Sequence, residues 1–463
     1  MDTVAATSIH CFTHHQKNSI EIQRQLISVK NMPRIFIFLF ASLACAGLVS
    51  AQTDSVYTMK YIDRSTRFAW TTLGLDMLSV GGGQVDYFKA GNAGTTKFGS
   101  TLLPRLSIGG IHFWGHADFY VSFPLRFLAL SNNPIEWKKI LNNEGIETSA
   151  RLYPWKIKPN SVRPFVGVSF RLKEFSLGED QATYSKGYPE FQRMTTPVQM
   201  GLSYATRKSI FSLSAYYNPQ PTSNYYSTPS QTGALQLDTW SFGISMSRYW
   251  DTDQSMRNRK SIRQLNLKDS ILRKEKRMSA WYWGIGPSAA LQMSRSEFLK
   301  DYHPYLYDDF AGGIMPDITF GRFFEKPDMN IGISYRTLGM KLQAFETDLR
   351  MRRHSFMLEA YKNIFNYLGF VPYVGVTGSI ENLTTIINGV AYAETKPAVG
   401  IIFGWDIRVT KTETNLLRTN LRWIPDLHMT IQGKKMMYDQ IEFNFIQWVQ
   451  FIGRKKAFKK YRR

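Results

Sequence analysis

The segment 239–250, TWSFGISMSRYW, reads with a period of two. Trp240, Phe242, Ile244 and Met246 fall on one face, and Ser241, Gly243, Ser245 and Ser247 on the other. Such alternation belongs to a strand, because successive side chains of extended backbone point to opposite sides. Residues 117–128, ADFYVSFPLRFL, repeat it, with Phe119, Val121, Phe123, Leu125 and Phe127 opposed to Asp118, Tyr120, Ser122 and Arg126. Residues 398–409, AVGIIFGWDIRV, set Val399, Ile401, Phe403, Trp405, Ile407 and Val409 against Gly400, Gly404, Asp406 and Arg408. A soluble sandwich alternates too. Three features favour a sheet in a membrane. The runs last about ten residues or more, where soluble strands average about five or six. Aromatics recur at strand ends, as at membrane interfaces. The second face mixes glycine, serine and charge, as a wet or ion-paired interior would.

Working outward from these segments, we read sixteen candidate strands between residues 67 and 452. The links alternate in length. Those at 114–116, around Lys208, at 325–327 and at 410–413 are tight; those at 80–100, 178–193, 219–236, 294–313 and 384–395 are long. Short periplasmic turns against long outer loops is the outer-membrane arrangement, and an even strand count puts both ends of the sheet in the periplasm. The halves also resemble each other. RPFVGVSFR (163–171) matches VPYVGVTGSI (371–380) at the fifth strand of each half, and LPRLSI (103–108) matches MPDITF (315–320) at the second. We read an old duplication of an eight-stranded unit. The predicted fold is all-β, an antiparallel transmembrane barrel of about 16 strands built from two similar 8-stranded halves.

The most apolar run, PRIFIFLFASLACAGLVS (33–50), follows Met32 and Arg34 opens its charged flank. It ends in small residues at Val49-Ser50-Ala51, so 32–51 reads as a signal peptide cut after Ala51. Residues 1–31 then read as an over-call of the start, and their His10, Cys11, His14 and His15 as a tract with no second half of a metal site. The domains that follow are a first barrel half at 52–250, a basic linker or turn at 251–280, a second half at 281–453 and a basic tail at 454–463. The only cysteines, Cys11 and Cys45, precede the cut. A thiol-free mature chain excludes cysteine nucleophiles, disulfides and thiolate metal sites.

The formal net charge is +21. Nine Lys/Arg lie in 251–280 and seven in 454–463. Both clusters sit outside the patterned segments of an exported chain. We therefore expect membrane lipids and lipopolysaccharide as partners, not nucleic acid. In the linker, Ile262, Leu265, Ile271 and Leu272 could edge a short helix lying on anionic headgroups, or the segment is a solvated linker.

The mature start Ala51-Gln52, the strand motifs PFVGV (164–168) and PYVGV (372–376), and the ending QIEFNFIQWVQFIGR (440–454) resemble outer-membrane β-barrel proteins of the Bacteroidetes type. The resemblance covers most of 52–453 and implies fold and cellular address, not an activity.

Function turns on how the strands close. Eight strands enclose a lumen filled by side chains, whereas sixteen leave an aqueous channel. We expect a single sixteen-stranded barrel, with two tandem small barrels as the alternative. Asp118, Arg126, Arg171, Lys173, Arg336, Asp406 and Arg408 are expected to face the lumen, as a pore lining in one case and a salt-bridged plug in the other. No catalytic, cofactor-binding or metal site is predicted. His112, His116, His303, His354 and His428 are the histidines that a Ser-His hydrolase could use, His112 and His116 with Asp118 a conceivable metal set, and Asp301, Asp308 and Asp309 beside His303 a conceivable divalent-cation set, each weaker than an ordinary turn or loop. No G-x-S-x-G, P-loop or H-E-x-x-H occurs, and Gly81-Gly82-Gly83 opens no helix. The expectation is a non-enzymatic diffusion channel or structural membrane component, with a lipid-modifying hydrolase as the alternative.

Overall fold

In hydrocarbon a sheet must leave no unpaired edge, because no water is present to satisfy its backbone groups. This chain meets that demand twice. The computed structural model describes residues 69–460 apart from 90–91, 132–139, 179–183, 252–258, 309–311, 367–368 and 409–413. The proposed leader, the upstream tract with its histidines, Cys45, the link 410–413 and Asp309 lie outside the described residues.

The first barrel runs through Trp70–Val80, Thr101–His112, Ala117–Pro124, Leu141–Leu152, Ser161–Ser176, Val198–Ala205, Ser209–Tyr217 and Trp240–Asp251. Its first and last strands pair antiparallel, with Leu75 opposite Met246, which closes the ring. The second runs through Ala280–Gln292, Gly312–Phe324, Met329–Ala344, Thr347–Asn363, Phe370–Ile387, Val390–Ile407, Asn415–Trp423 and Gln440–Phe451, and closes with Ile285 opposite Trp448. The sixteen strands and two eight-stranded halves are as expected. The single large closure is not: each half seals on itself. The matched segments 163–171 and 371–380 fall on the fifth strand of each ring, and 103–108 and 315–320 on the second.

Two further expectations are corrected. The link 384–395 is not a long loop. Its strands continue to Ile387 and restart at Val390, joined only by Asn388 (φ 48°) and Gly389 (φ 89°). Asn-Gly tolerates two successive positive φ angles, which a tight turn matched to strand twist requires. The strand expected over 117–128 stops at Pro124, and a 3₁₀ turn at Arg126–Leu128 follows. The remaining long links carry structure of their own. Hairpins at 83–98 and 222–237 join into a four-stranded sheet, and Glu297–Tyr302 forms a short helix.

The exterior is apolar at membrane level. Leu75, Ile244, Ile333 and Val376 are each about 60% exposed, while Glu147 and Asp406 inside are fully buried. This inverts a soluble protein, and it is the construction of an outer-membrane barrel, whose strands alternate apolar-out and polar-in. No described helix is long and apolar enough to cross a membrane.

The barrels touch along one seam. Val121 and Phe123 of the first pack on Ala289 and Phe445 of the second, and the Phe123 and Phe445 rings meet edge-on at 5.1 Å. At the long-loop end, Lys186 N donates to Phe345 O (2.8 Å) and Phe345 N to Gly187 O (2.6 Å). Tyr307 of the second barrel's first loop enters the crown of the first. Its hydroxyl accepts from Tyr226 N (2.9 Å) and donates to Asn224 O (3.1 Å). At the other end a helix, Arg259–Lys274, bridges the barrels. Its Ile271 and Leu272 bury against Met278 and Ala457, the latter in the terminal helix Arg454–Lys460. These two apolar residues thus pack on protein and not on headgroups.

Closure in two rings has a direct chemical test. In a chain lacking Cys11 and Cys45, Leu75→Cys with Met246→Cys, and separately Ile285→Cys with Trp448→Cys, should cross-link within one molecule in membranes. A sixteen-stranded ring would instead join Leu75→Cys to the last strand of the second half.

Candidate functional site

The inward positions of both barrels carry the chemistry. Strand alternation aims every second side chain into a lumen too narrow for bulk water. A charge placed there must find an opposite charge, since desolvation without a partner costs several kcal/mol per ion.

In the first lumen Glu147 is the hub. Arg105 and Ser149 donate to it, as does Arg171 Nε at 2.8 Å. Arg105 also pairs with Asp76, which accepts from Ser122 Oγ at 2.8 Å. Arg171 Nη1 reaches Glu144 at 3.1 Å and its guanidinium lies 3.6 Å over the Tyr216 ring. Arg151 donates to Tyr120 (2.7 Å) and Gln199 (3.1 Å), and Lys173 to Asn142 (2.8 Å). Two recesses in this lumen measure about 20 and 30 Å³. Each holds about one or two waters and no solute.

In the second lumen Asp317 pairs with Arg422 (2.7 Å) and accepts from Asn444 Nδ2 (2.8 Å). Arg422 reaches Glu359 (2.8 Å). Glu442 holds Arg336 (2.5 Å) and Arg353 (2.9 Å), and Arg353 reaches Glu381 (2.8 Å). Towards the opposite end from the long loops, Asp406 holds Arg418 (2.8 Å) and Arg408 (2.9 Å). The Arg418 guanidinium stands 5.1–5.8 Å from the rings of Tyr282, Tyr361 and Tyr373.

Of the residues expected in the lumen, Arg171, Lys173, Arg336, Asp406 and Arg408 are buried inside it, and Asp118 lies there 3.8 Å from Arg151. Arg126 is not in the lumen. It sits beyond the end of its strand, half exposed, 2.5 Å from Glu174. The acidic partners Asp76, Glu144, Glu147, Asp317, Glu359, Glu381 and Glu442 went unnoticed in the sequence. Phase counting from the lipid-facing residues marks most of them. Glu147 keeps the phase of Ser149 and Arg151, but Glu144 escapes it, because a register shift between the two glutamates changes the phase of their strand.

The histidines are scattered. The His112 ring packs among Phe113, Phe119 and Phe370. His116 Nδ1 meets Tyr153 O at 3.0 Å, and His354 Nδ1 the Tyr335 hydroxyl at 3.0 Å. His303 Nδ1 meets the Tyr305 hydroxyl at 3.0 Å, and burial pushes its pKa down. His428 lies 3.3 Å from Asp426, whose carboxylate also holds Lys435 at 3.2 Å. Asp308 accepts from Ser296 N (2.9 Å) and Gln292 (3.2 Å), while Asp301 pairs with Lys434 (2.7 Å). Among the described residues no group of three potential metal ligands forms.

No family model and no curated protein matches the chain. Among solved structures it is similar to Neisserial surface protein A, with 17% identity over 37% of this chain and 97% of that one, TM-score 0.28. An outer-membrane channel of Pseudomonas putida F1 shows 7% identity over 87% of this chain and 100% of that one, TM-score 0.21. OmpT, an outer membrane protein of Vibrio cholerae, shows 8% identity over 83% and 100%, TM-score 0.17. No activity is transferred from likenesses this weak.

Breaking a buried pair strands its partner. Glu147→Ala should therefore destabilise the first barrel by about 3–5 kcal/mol, read by urea unfolding in lipid vesicles. Truncating the exposed ion-pair member Asp269 should cost about 0–1 kcal/mol by the same measure.

Proposed function

We propose that this protein is a non-enzymatic structural component of the bacterial outer membrane: two plugged barrels that carry a shared extracellular crown. The observation behind this reading is the set of paired charges that fills each lumen, from Arg105 and Glu147 in one to Arg422 and Asp317 in the other. A lumen crossed by such pairs offers a solute no path, so the diffusion-channel reading is the weaker of the two. The seam supports the role of a rigid platform. It joins the barrels at membrane level and again through Tyr307 in the crown.

The hydrolase reading needs a serine within hydrogen-bond reach of a histidine. The polar partners given above for His116, His303, His354 and His428 are a backbone carbonyl, two tyrosines and Asp426. The specific likeness to Bacteroidetes barrels rests on the strand motif and the ending of the chain, and we retain it as part of the proposal.

Planar bilayers test the proposal. The purified chain should insert without conductance beyond brief flicker. A steady conductance of porin size would overturn the plugged-barrel reading.

A further inference from the structure

The outer surface of the second barrel carries a charge arrangement that the fold alone does not need. On the strand Thr347–Asn363 the outward residues run Arg350, Arg352, His354, Phe356, Leu358, Ala360, Lys362. Phe356 and Leu358 are each 56% exposed and belong to the lipid-facing belt. Arg352 and Lys362 stand ten residues apart, one on each side of that belt. At ~3.3 Å per residue and a tilt of ~40°, that separation spans about 25 Å, the height of an outer-membrane barrel's apolar band. Lys362 therefore marks the inner headgroup level and Arg352 the outer. His354 and Tyr335, joined at 3.0 Å, form the polar-aromatic edge just below Arg352.

At the outer level three cations meet. Lys341 lies directly opposite Arg350, and Arg352 lies opposite Gly339. All three side chains are exposed. Like charges placed directly across two strands destabilise the pairing. One carboxylate, Asp348, offsets them by holding Arg350 at 2.9 Å, which leaves a net positive patch. A side-chain carbon added at Gly339 would meet nothing within 4 Å. The patch thus has an open notch beside Arg352, with Thr384 flanking on the next strand.

We propose that Lys341, Arg350 and Arg352 bind the phosphate groups of an outer-leaflet glycolipid, lipopolysaccharide, with the notch at Gly339 admitting a headgroup. This rests on the outer-membrane reading above. The lipid's acyl chains would lie along Phe356 and Ile380, which are paired in register and both exposed to lipid. Guanidinium and ammonium groups suit phosphate, and a bound anion removes the repulsion between Lys341 and Arg350.

The test uses the full chain, folded in zwitterionic detergent, and lipopolysaccharide with or without its lipid A phosphates. Wild type should retain the phosphorylated lipid and lose it as salt rises. K341Q/R350Q/R352Q should bind about tenfold more weakly. R352Q alone, at an exposed position, should bind about threefold more weakly. R322Q/K362Q should bind as wild type does, since Arg322 is exposed near the level of Lys362, across from Ile331, which itself pairs with Ala360. Equal retention by wild type and the triple variant overturns the proposal. So does equal binding of the dephosphorylated lipid or of phosphatidylglycerol. Heat-modifiable gel mobility on the same samples reports the barrel separately. Intact mobility with unchanged binding sinks the lipid site alone, and wild type without that mobility sinks the barrel reading and the site with it.

Discussion

The structure depends on pairing buried charge inside rings too small to hold bulk water. Lipid bars charge from the outside of each barrel, and strand alternation sends it inward. Once inside an eight-stranded ring it must be neutralised in place. Glu147 between Arg105 and Arg171, and Asp406 between Arg408 and Arg418, show the solution: carboxylates shared by two guanidiniums. Ring size and strand pattern follow from one constraint.

That constraint also explains the double architecture. A single sixteen-stranded ring would leave the same residues lining water, where surface pairs are worth about 0–1 kcal/mol. Closing each half separately puts them in a dry interior, where each broken pair is costly. The seam then binds two independent rings into one body. Aromatic contact serves at membrane level and backbone hydrogen bonds through Phe345 serve in the crown.

Much of the fold was legible in the sequence because period two is a geometric necessity of strands in lipid. All sixteen barrel strands fell where the alternation put them, within a few residues at most ends. Closure was not legible. Whether Trp70–Val80 pairs with Trp240–Asp251 or with Gln440–Phe451 depends on which edges meet in space, and strands of either pairing carry the same alternation. The hairpin at Asn388-Gly389 was readable from its dipeptide, but the polar run after it, AYAETK, resembled a loop because both of its faces stand clear of the membrane. The ion pairs were half legible. Inward arginines stood out, while Glu144 was hidden by the register shift that separates it from Glu147. The depth of the outward-facing cations Arg350 and Arg352 became readable only once the exposed apolar belt of Phe356 and Leu358 was located.

A lumen filled by paired charge is closed to dissolved reagents. Ser149 lies against Glu147 in the first lumen, and Ser355 donates to Glu381 at 2.8 Å in the second. Cysteine placed at either position, in a chain lacking Cys11 and Cys45, reports the lumen directly through its reaction with a charged, membrane-impermeant thiol reagent. Plugged lumens give no labelling of the folded protein from either side of the membrane, and full labelling after heat denaturation. Labelling of the folded protein as rapid as that of a cysteine in an exposed loop would contradict that closure.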